Sequence, residues 1–269
     1  MAPDHPNTVV AITGAAGYLG RLTRAHLRQR GFSLRLFDIA PIEDVAANEV
    51  AVQGDLSSFD NVALALQGAN FVVHLAASLS VDDWQPVLES NIAGTYNIYE
   101  AARQQGIGRI VYASSHHVAG MYSTRDPIDL GAPARPDSLY GLSKCFGENL
   151  AQYYWDKFGV ETVALRIGSA RPEPREARER YTWLSEPDYC RLIDASIGAP
   201  RVGFTPVWGV SDNDGGWWTN EAAFHLGFRP RDNAADHLGP PAPASSDPML
   251  ELQGGKRALH RLGERRGDA

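Results

Sequence analysis

The stretch VVAITGAAGYLGRLTRAHLRQRGFSLRLFDIA, residues Val9–Ala40, decides the fold. Val9–Ile12 is a short apolar, largely β-branched run, as a buried strand requires. TGAAGYLG follows, with Gly14, Gly17 and Gly20, and apolar residues then recur at helical spacing at Leu19, Leu22, Ala25 and Leu27. Gly31 stands where a helix would be capped. Leu34–Phe37 reads as a second strand and closes on Asp38, 18 residues after Gly20. Each part has a physical task in holding a dinucleotide. Gly14 turns the chain, Gly17 lets the backbone approach a pyrophosphate, and Gly20 lets the helix sit close to the strand. Tyr18 and Leu19 fall in the first helical turn, where free N–H groups and the helix dipole favour an anion. Plain turn chemistry is the bland alternative, and the acid at this distance weighs against it. The Asp38 carboxylate can accept from both adenosine-ribose hydroxyls and repels a 2′-phosphate, so NAD is expected rather than NADP. Arg35 could meet a phosphate, but in a strand it faces the opposite side of the sheet from Asp38.

The same alternation continues outward. Strands are expected at Glu49–Gln53, Phe71–Leu75, Arg109–Ala113 and Val160–Arg166, and helices at Phe59–Leu66, Val87–Arg103 and Leu139–Phe158. Strands alternating with helices of this length give an α/β fold, a doubly wound (Rossmann) parallel sheet in the order 3-2-1-4-5-6. Beyond Arg166 the chain turns polar, then shows a helix near Pro187–Ile197 and a strand at Val202–Val207. We therefore expect a dinucleotide-binding domain over 1–170, a small substrate-binding part over 171–233, and a disordered tail over 234–269, which is rich in Pro, Ala, Ser and Gly and then basic.

Composition narrows the partners. The 269 residues carry a net charge of -7, which argues against a nucleic-acid surface. No apolar run reaches the roughly 18–20 residues of a membrane span, and the first residues lack the pattern of a signal peptide. A cytoplasmic protein is expected. Two cysteines, Cys145 and Cys190, make neither a disulfide framework nor a metal site.

In SLYGLSKCFGENL, Tyr140 and Lys144 lie four apart at the start of a helix and share a face. An ammonium beside a phenol favours the phenolate, which can then act as a base. In RIVYASSHHVAG, Ser114 and Ser115 follow a strand, at the sheet edge that faces the ligand crevice. Each motif alone is weak, since YxxxK is common on helices and paired serines serve in turns. Together with the glycine cradle they are specific.

Here the chain resembles the extended short-chain dehydrogenase/reductases. The matching pieces are TGAAGYLG, GDLSS at 54–58, HLAA at 74–77, NIAGTYNIYEAA at 91–102, YASSHHVAG and YGLSK. The resemblance implies Ser115, Tyr140 and Lys144 as catalytic residues. It implies that Asp55 and Leu56 flank the adenine, that Leu75, Ala76 and Ala77 line the nicotinamide side, and that Asn91 supports the cofactor site. LRIGSARPEP, TWLS and PVWGVSDNDGGWWTN further resemble the uronate dehydrogenases, over about 230 residues in all. That family oxidises a free hexuronic acid, glucuronate or galacturonate, at the anomeric carbon with NAD to the aldarolactone. The resemblance points to Arg178, among Arg171, Arg175, Arg178 and Arg180, as partner of the uronate carboxylate. It also points to Ser169, to Ser78 or Ser80, and to His116, where the family more often has asparagine, as contacts of the sugar. His116 would bring a titratable group to the site. A homo-oligomer follows from family habit alone. The competing readings are a nucleotide-sugar epimerase or dehydratase, for which little more than 60 residues after Arg166 leave scant room, and an NAD-sensing regulator, which would not need the Tyr/Lys pair.

Overall fold

The computed structural model describes residues 8–239 and 248–261. In chain order the elements are β1 (Val9–Thr13), α1 (Tyr18–Gln29), β2 (Ser33–Asp38), β3 (Glu49–Gln53), α2 (Phe59–Leu66), β4 (Phe71–His74) and α3 (Trp84–Pro86). A wide π-helical turn (Val87–Ala93) leads into α4 (Gly94–Gln104), and β5 (Arg109–Ser115), α5 (Leu139–Phe158) and β6 (Glu161–Ile167) follow. Next come β7 (Ser169–Ala170), α6 (Glu179–Thr182), β8 (Trp183–Leu184), α7 (Glu186–Gly198), β9 (Phe204–Gly209) and the short α8 (Lys256–Leu259).

The main sheet has seven strands in the order β3-β2-β1-β4-β5-β6-β9, every pair parallel. The expected six-strand order is present, and the Val202–Val207 strand joins it as β9 beside β6. Alternate residues of each strand serve opposite faces. Val10, Ile12, Leu34, Leu36, Val111 and Val163 pack on one face with α1 and α7. Ala11, Phe37, Val72, Ile110, Tyr112 and Ala164 pack on the other with α2, α4 and α5. Two buried faces explain why the strands read as almost continuous apolar runs. Arg35 does point away from Asp38, and its guanidinium donates to the carbonyls of Leu64 and Ala65, at the end of α2.

The tail expectation does not describe residues 248–261. Leu252 bridges Ser123 in antiparallel fashion, Gln253 is fully buried, and Lys256–Leu259 is helical. The composition that suggested disorder is offset by specific bonds: Gln253 N–H donates to Tyr122 O at 2.8 Å and Gly254 N–H to Gly120 O at 2.8 Å. Positions 240–247 and 262–269 of that expectation lie outside the described residues.

Candidate active site

The strand order reverses between β1 and β4, which leaves a crevice at the carboxyl ends of the strands. A cleft of about 890 Å³ opens there. Its first half is built by the opening motif. Gly14 has φ +70°, and a side chain there would come within 2.8 Å of the Ala76 backbone nitrogen. A Cβ at Gly20 would overlap the carbonyl oxygen of Gly14. Helix α1 has Gly17 at its N-cap, with no side-chain cap and no acid in its first turn, so its leading N–H groups are left for an anion. Asp38 Oδ2 accepts from Ala16 N–H at 2.9 Å and Oδ1 from Ala40 N–H at 3.0 Å. A carboxylate has about four acceptor positions, so two bonds fix its orientation and leave capacity for ribose hydroxyls. Gly14, Gly17, Tyr18, Leu19, Gly20, Asp38, Asp55, Leu56, Leu75, Ala76 and Ala77 all line the cleft. These features fit a dinucleotide.

Asn91 does not line it. Buried, it accepts from Ser78 N–H at 2.7 Å and donates to Ser78 O and Ser143 Oγ, both at 2.9 Å. Ser143 Oγ in turn donates to Tyr140 O. Asn91 therefore ties the loop after β4 to the first turn of α5.

That turn carries Tyr140. Ser138 caps α5 by accepting from Gly141 N–H, which sets Tyr140 in the first turn and Lys144 one turn on. Ser115 ends β5 alongside, and all three line the cleft. Lys144 Nζ lies 5.5 Å from the centre of the Tyr140 ring and 5.0 Å from that of Tyr112. Burial brings the Lys144 amine down to about 7. Burial also pushes the Tyr140 phenol up, while the Ser115 hydroxyl and the Arg257 guanidinium pull it back.

The sugar candidates separate. Ser78 and His116 line the cleft. Ser80, Ser169 and Arg178 are not among its lining residues. Ser80 Oγ accepts from Asp83 N–H, and Ser169 Oγ bonds Thr182 Oγ1 at 2.9 Å. Arg178 is buried against Trp217, donates to the carbonyl of Gln253 and lies 3.3 Å from His116 Nε2. Burial holds its guanidinium down at about 10. His116 Nδ1 sits 2.9 Å from Ile167 O. A carbonyl can only accept, so Nδ1 carries the proton and Nε2 accepts from Arg178. Both ring nitrogens are thus engaged within the protein, and burial with the nearby cations keeps the pKa well below the usual imidazole range. His116 is a neutral residue of the cleft wall, without the titration that its type suggested. His117 is held through Nδ1 by Asp137 Oδ2 at 2.6 Å.

One lining residue has no counterpart in the sequence reading. Arg257, from α8, reaches into the cleft, its guanidinium carbon 4.7 Å from the centre of the Tyr140 ring. It is 117 positions from Tyr140, in the basic stretch KRALHRLGERR, whose weak amphipathic pattern reads as a solvated tail.

Fold and cleft define a dinucleotide-binding α/β protein with a Ser/Tyr/Lys constellation. The NAD dependent epimerase/dehydratase family matches residues 10–176, and the chain belongs to it, in the extended short-chain dehydrogenase/reductase group. The chain is 45% identical to a uronate dehydrogenase of Agrobacterium fabrum, over 91% of this chain and 94% of that protein. It is 41% identical to a uronate dehydrogenase of Pseudomonas putida, over 94% and 97%. A solved structure of a uronate dehydrogenase mutant from Agrobacterium tumefaciens, complexed with NAD, superposes with a TM-score of 0.88 at 44% identity, over 93% and 97% of the two chains. Among the described residues no helix is long and apolar enough to cross a membrane.

Proposed function

We propose that the chain oxidises a free hexuronic acid, glucuronate or galacturonate, at C1 to the aldarolactone with NAD as acceptor. One observation carries the reading: Ser115, Tyr140 and Lys144 share one cleft with a dinucleotide cradle, in a chain that matches uronate dehydrogenases over 91% and 94% of its length. The cyclic sugar is a hemiacetal with a hydroxyl on C1. Tyr140, as phenolate, takes the hydroxyl proton, and Ser115 hydrogen-bonds the same oxygen and aligns it. NAD, when bound, would supply the acceptor for the C1 hydride. Lys144 stands close enough for its charged form to favour the phenolate. Asp38 and the first turn of α1 hold the adenosine and pyrophosphate ends, with Asp55, Leu56 and Leu75–Ala77 along the cofactor. Asn91 acts indirectly, by fixing Ser78 and the start of α5.

The test is NADH formation by the purified protein with NAD and a panel of free glucuronate, galacturonate, a neutral hexose and a nucleotide-linked uronate. NADH is expected from a free uronate, with kcat in Tyr140→Phe reduced roughly a hundredfold to ten-thousandfold, the usual reach of a general base. Turnover of the nucleotide-linked sugar alone would replace the reading with a nucleotide-sugar enzyme. NAD binding with no turnover of any sugar would replace it with a sensor.

A further inference from the structure

Two cations stand against the ring of Tyr140, and they differ in how firmly they hold their charge. Lys144, one turn on along α5, has its Nζ 5.5 Å from the ring centre, and burial brings its amine down to about 7. Near neutral pH its ammonium is therefore present only in part, and a neutral amine gives a phenolate no charge to pair with. Arg257, from α8, has its guanidinium carbon 4.7 Å from the same centre. A guanidinium keeps its charge throughout the working pH range of proteins.

The other titratable groups around Tyr140 do not supply that charge. Tyr112, on β5, is a neutral phenol that burial pushes well up. His117, its ring centre 5.9 Å away, is kept neutral by burial and by the Arg257 and Arg178 cations. Asp137, just ahead of α5, is an acid whose charge opposes a phenolate, and it is committed to His117 Nδ1 at 2.6 Å and Ser138 Oγ at 2.8 Å. Burial pushes the Tyr140 phenol up, and the Ser115 hydroxyl and the Arg257 charge work against it.

Arg257 is held in place from both ends of its segment. Upstream, Thr124 N–H donates to Glu251 O at 3.0 Å, Thr124 Oγ1 to Leu250 O at 2.6 Å and Trp218 Nε1 to Gln253 Oε1 at 2.9 Å. Gly255, at φ +56°, turns the chain into α8. Downstream, His260 Nε2 and Arg261 each lie 3.2 Å from Asp82, in the loop after β4. Between these anchors Lys256 is exposed, whereas Arg257 is partly buried and lines the cleft.

Resting on the function proposed above, we propose that Arg257 is a positioning residue for the reaction, whose fixed positive charge over the Tyr140 ring keeps the phenol in the ionised form that takes the C1 hydroxyl proton. The proton moves from the sugar hydroxyl to the phenolate oxygen, and Arg257 exchanges none itself. The negative charge of a phenolate is shared between oxygen and ring, so a cation over the ring face favours it. Lys144 adds to this effect when it is charged.

The experiment titrates the Tyr140 phenol with NAD present, as the tyrosinate absorbance of wild type minus that of Tyr140→Phe, and repeats the subtraction in Arg257→Met and Arg257→Lys. The kcat–pH profile with a free uronate is recorded for the same proteins, with thermal unfolding as the check on folding. Loss of an opposite charge at this distance should raise the phenol midpoint in Arg257→Met by about 1–3 units. A base works only when deprotonated, so the acid limb of the kcat profile should move to higher pH by the same amount. Arg257→Lys keeps a charge and should restore most of both. Arg257→Gln gives the same comparison if Arg257→Met does not fold. An unmoved midpoint in a folded neutral variant overturns the assignment. So does a kcat lowered by one factor at every pH, which marks a purely structural role, or a raised uronate KM with midpoint and profile unmoved, which would give Arg257 to the substrate. If wild type makes no NADH from any free uronate, the proposed function falls, and the phenol titration still decides what Arg257 does to Tyr140.

Discussion

At Asp38 a single carboxylate does two things. It accepts from the Ala16 and Ala40 N–H groups, which shapes the turn around the cradle, and it presents negative charge where a 2′-phosphate would sit. Asp38→Asn removes the charge and, because an amide nitrogen cannot accept, one of these two backbone bonds. It should raise KM for NAD and lower KM for NADP, reducing the NAD preference by roughly tenfold or more, since hydrogen bonds to a charged acceptor are worth about 1.5–3 kcal/mol each. Paired steady-state assays with the two cofactors check this; an unchanged ratio would place the discrimination elsewhere. His116 teaches the opposite lesson at the same scale. Its residue type suggested titration, but a carbonyl on one nitrogen and a guanidinium on the other leave a neutral ring.

Among the elements, α5 and the C-terminal segment meet at Tyr140, one from each side. Helix α5 is capped by Ser138 and closed by Gly159 in the left-handed conformation, so its Tyr140 and Lys144 are held in fixed register. The C-terminal segment hangs on Gln253. Its side chain accepts from the Trp218 indole at 2.9 Å and reaches Ser123 O at 3.3 Å, and its backbone accepts from Arg178. Gln253→Ala would orphan a buried indole N–H, at a cost of about 1–3 kcal/mol. Thermal unfolding should show that loss, and KM for the sugar should rise more than KM for NAD, because the segment meets the cleft beside Tyr140 and away from the glycine turn. Equal effects on both constants would mean that it does not shape the sugar site.

Across the whole molecule, the sheet and α5 are joined by a buried charge pair. Glu148 on α5 meets Arg166 on β6 through two oxygens, at 3.0 and 2.8 Å, and accepts from Ser114 next to Ser115. Arg166 also lies 5.3 Å over the ring of Trp208 on β9. Four elements thus share one ion pair. Glu148→Leu would leave Arg166 buried and unpaired, which typically costs about 3–5 kcal/mol. A urea midpoint that falls accordingly, with Glu148→Gln falling less, is the expected result; an unchanged midpoint would show that the pair contributes nothing net.

The sequence by itself determined the order of strands and helices, the parallel sheet, the glycine cradle with its acid, and the Ser115, Tyr140 and Lys144 set. These are legible because each depends on neighbours within a few residues: period-2 and period-3.6 apolar spacing, a turn that only glycine can make, two side chains one helical turn apart. Tertiary structure alone decided which arginine faces the cleft, whether His116 can titrate, and that residues 248–261 pack rather than trail. Those outcomes rest on contacts such as Arg178 with Gln253 and Arg257 with Tyr140, which join positions 75 and 117 apart. Local patterning encodes backbone conformation, whereas the solvation and partners of a charged side chain are set by whichever remote segment packs against it.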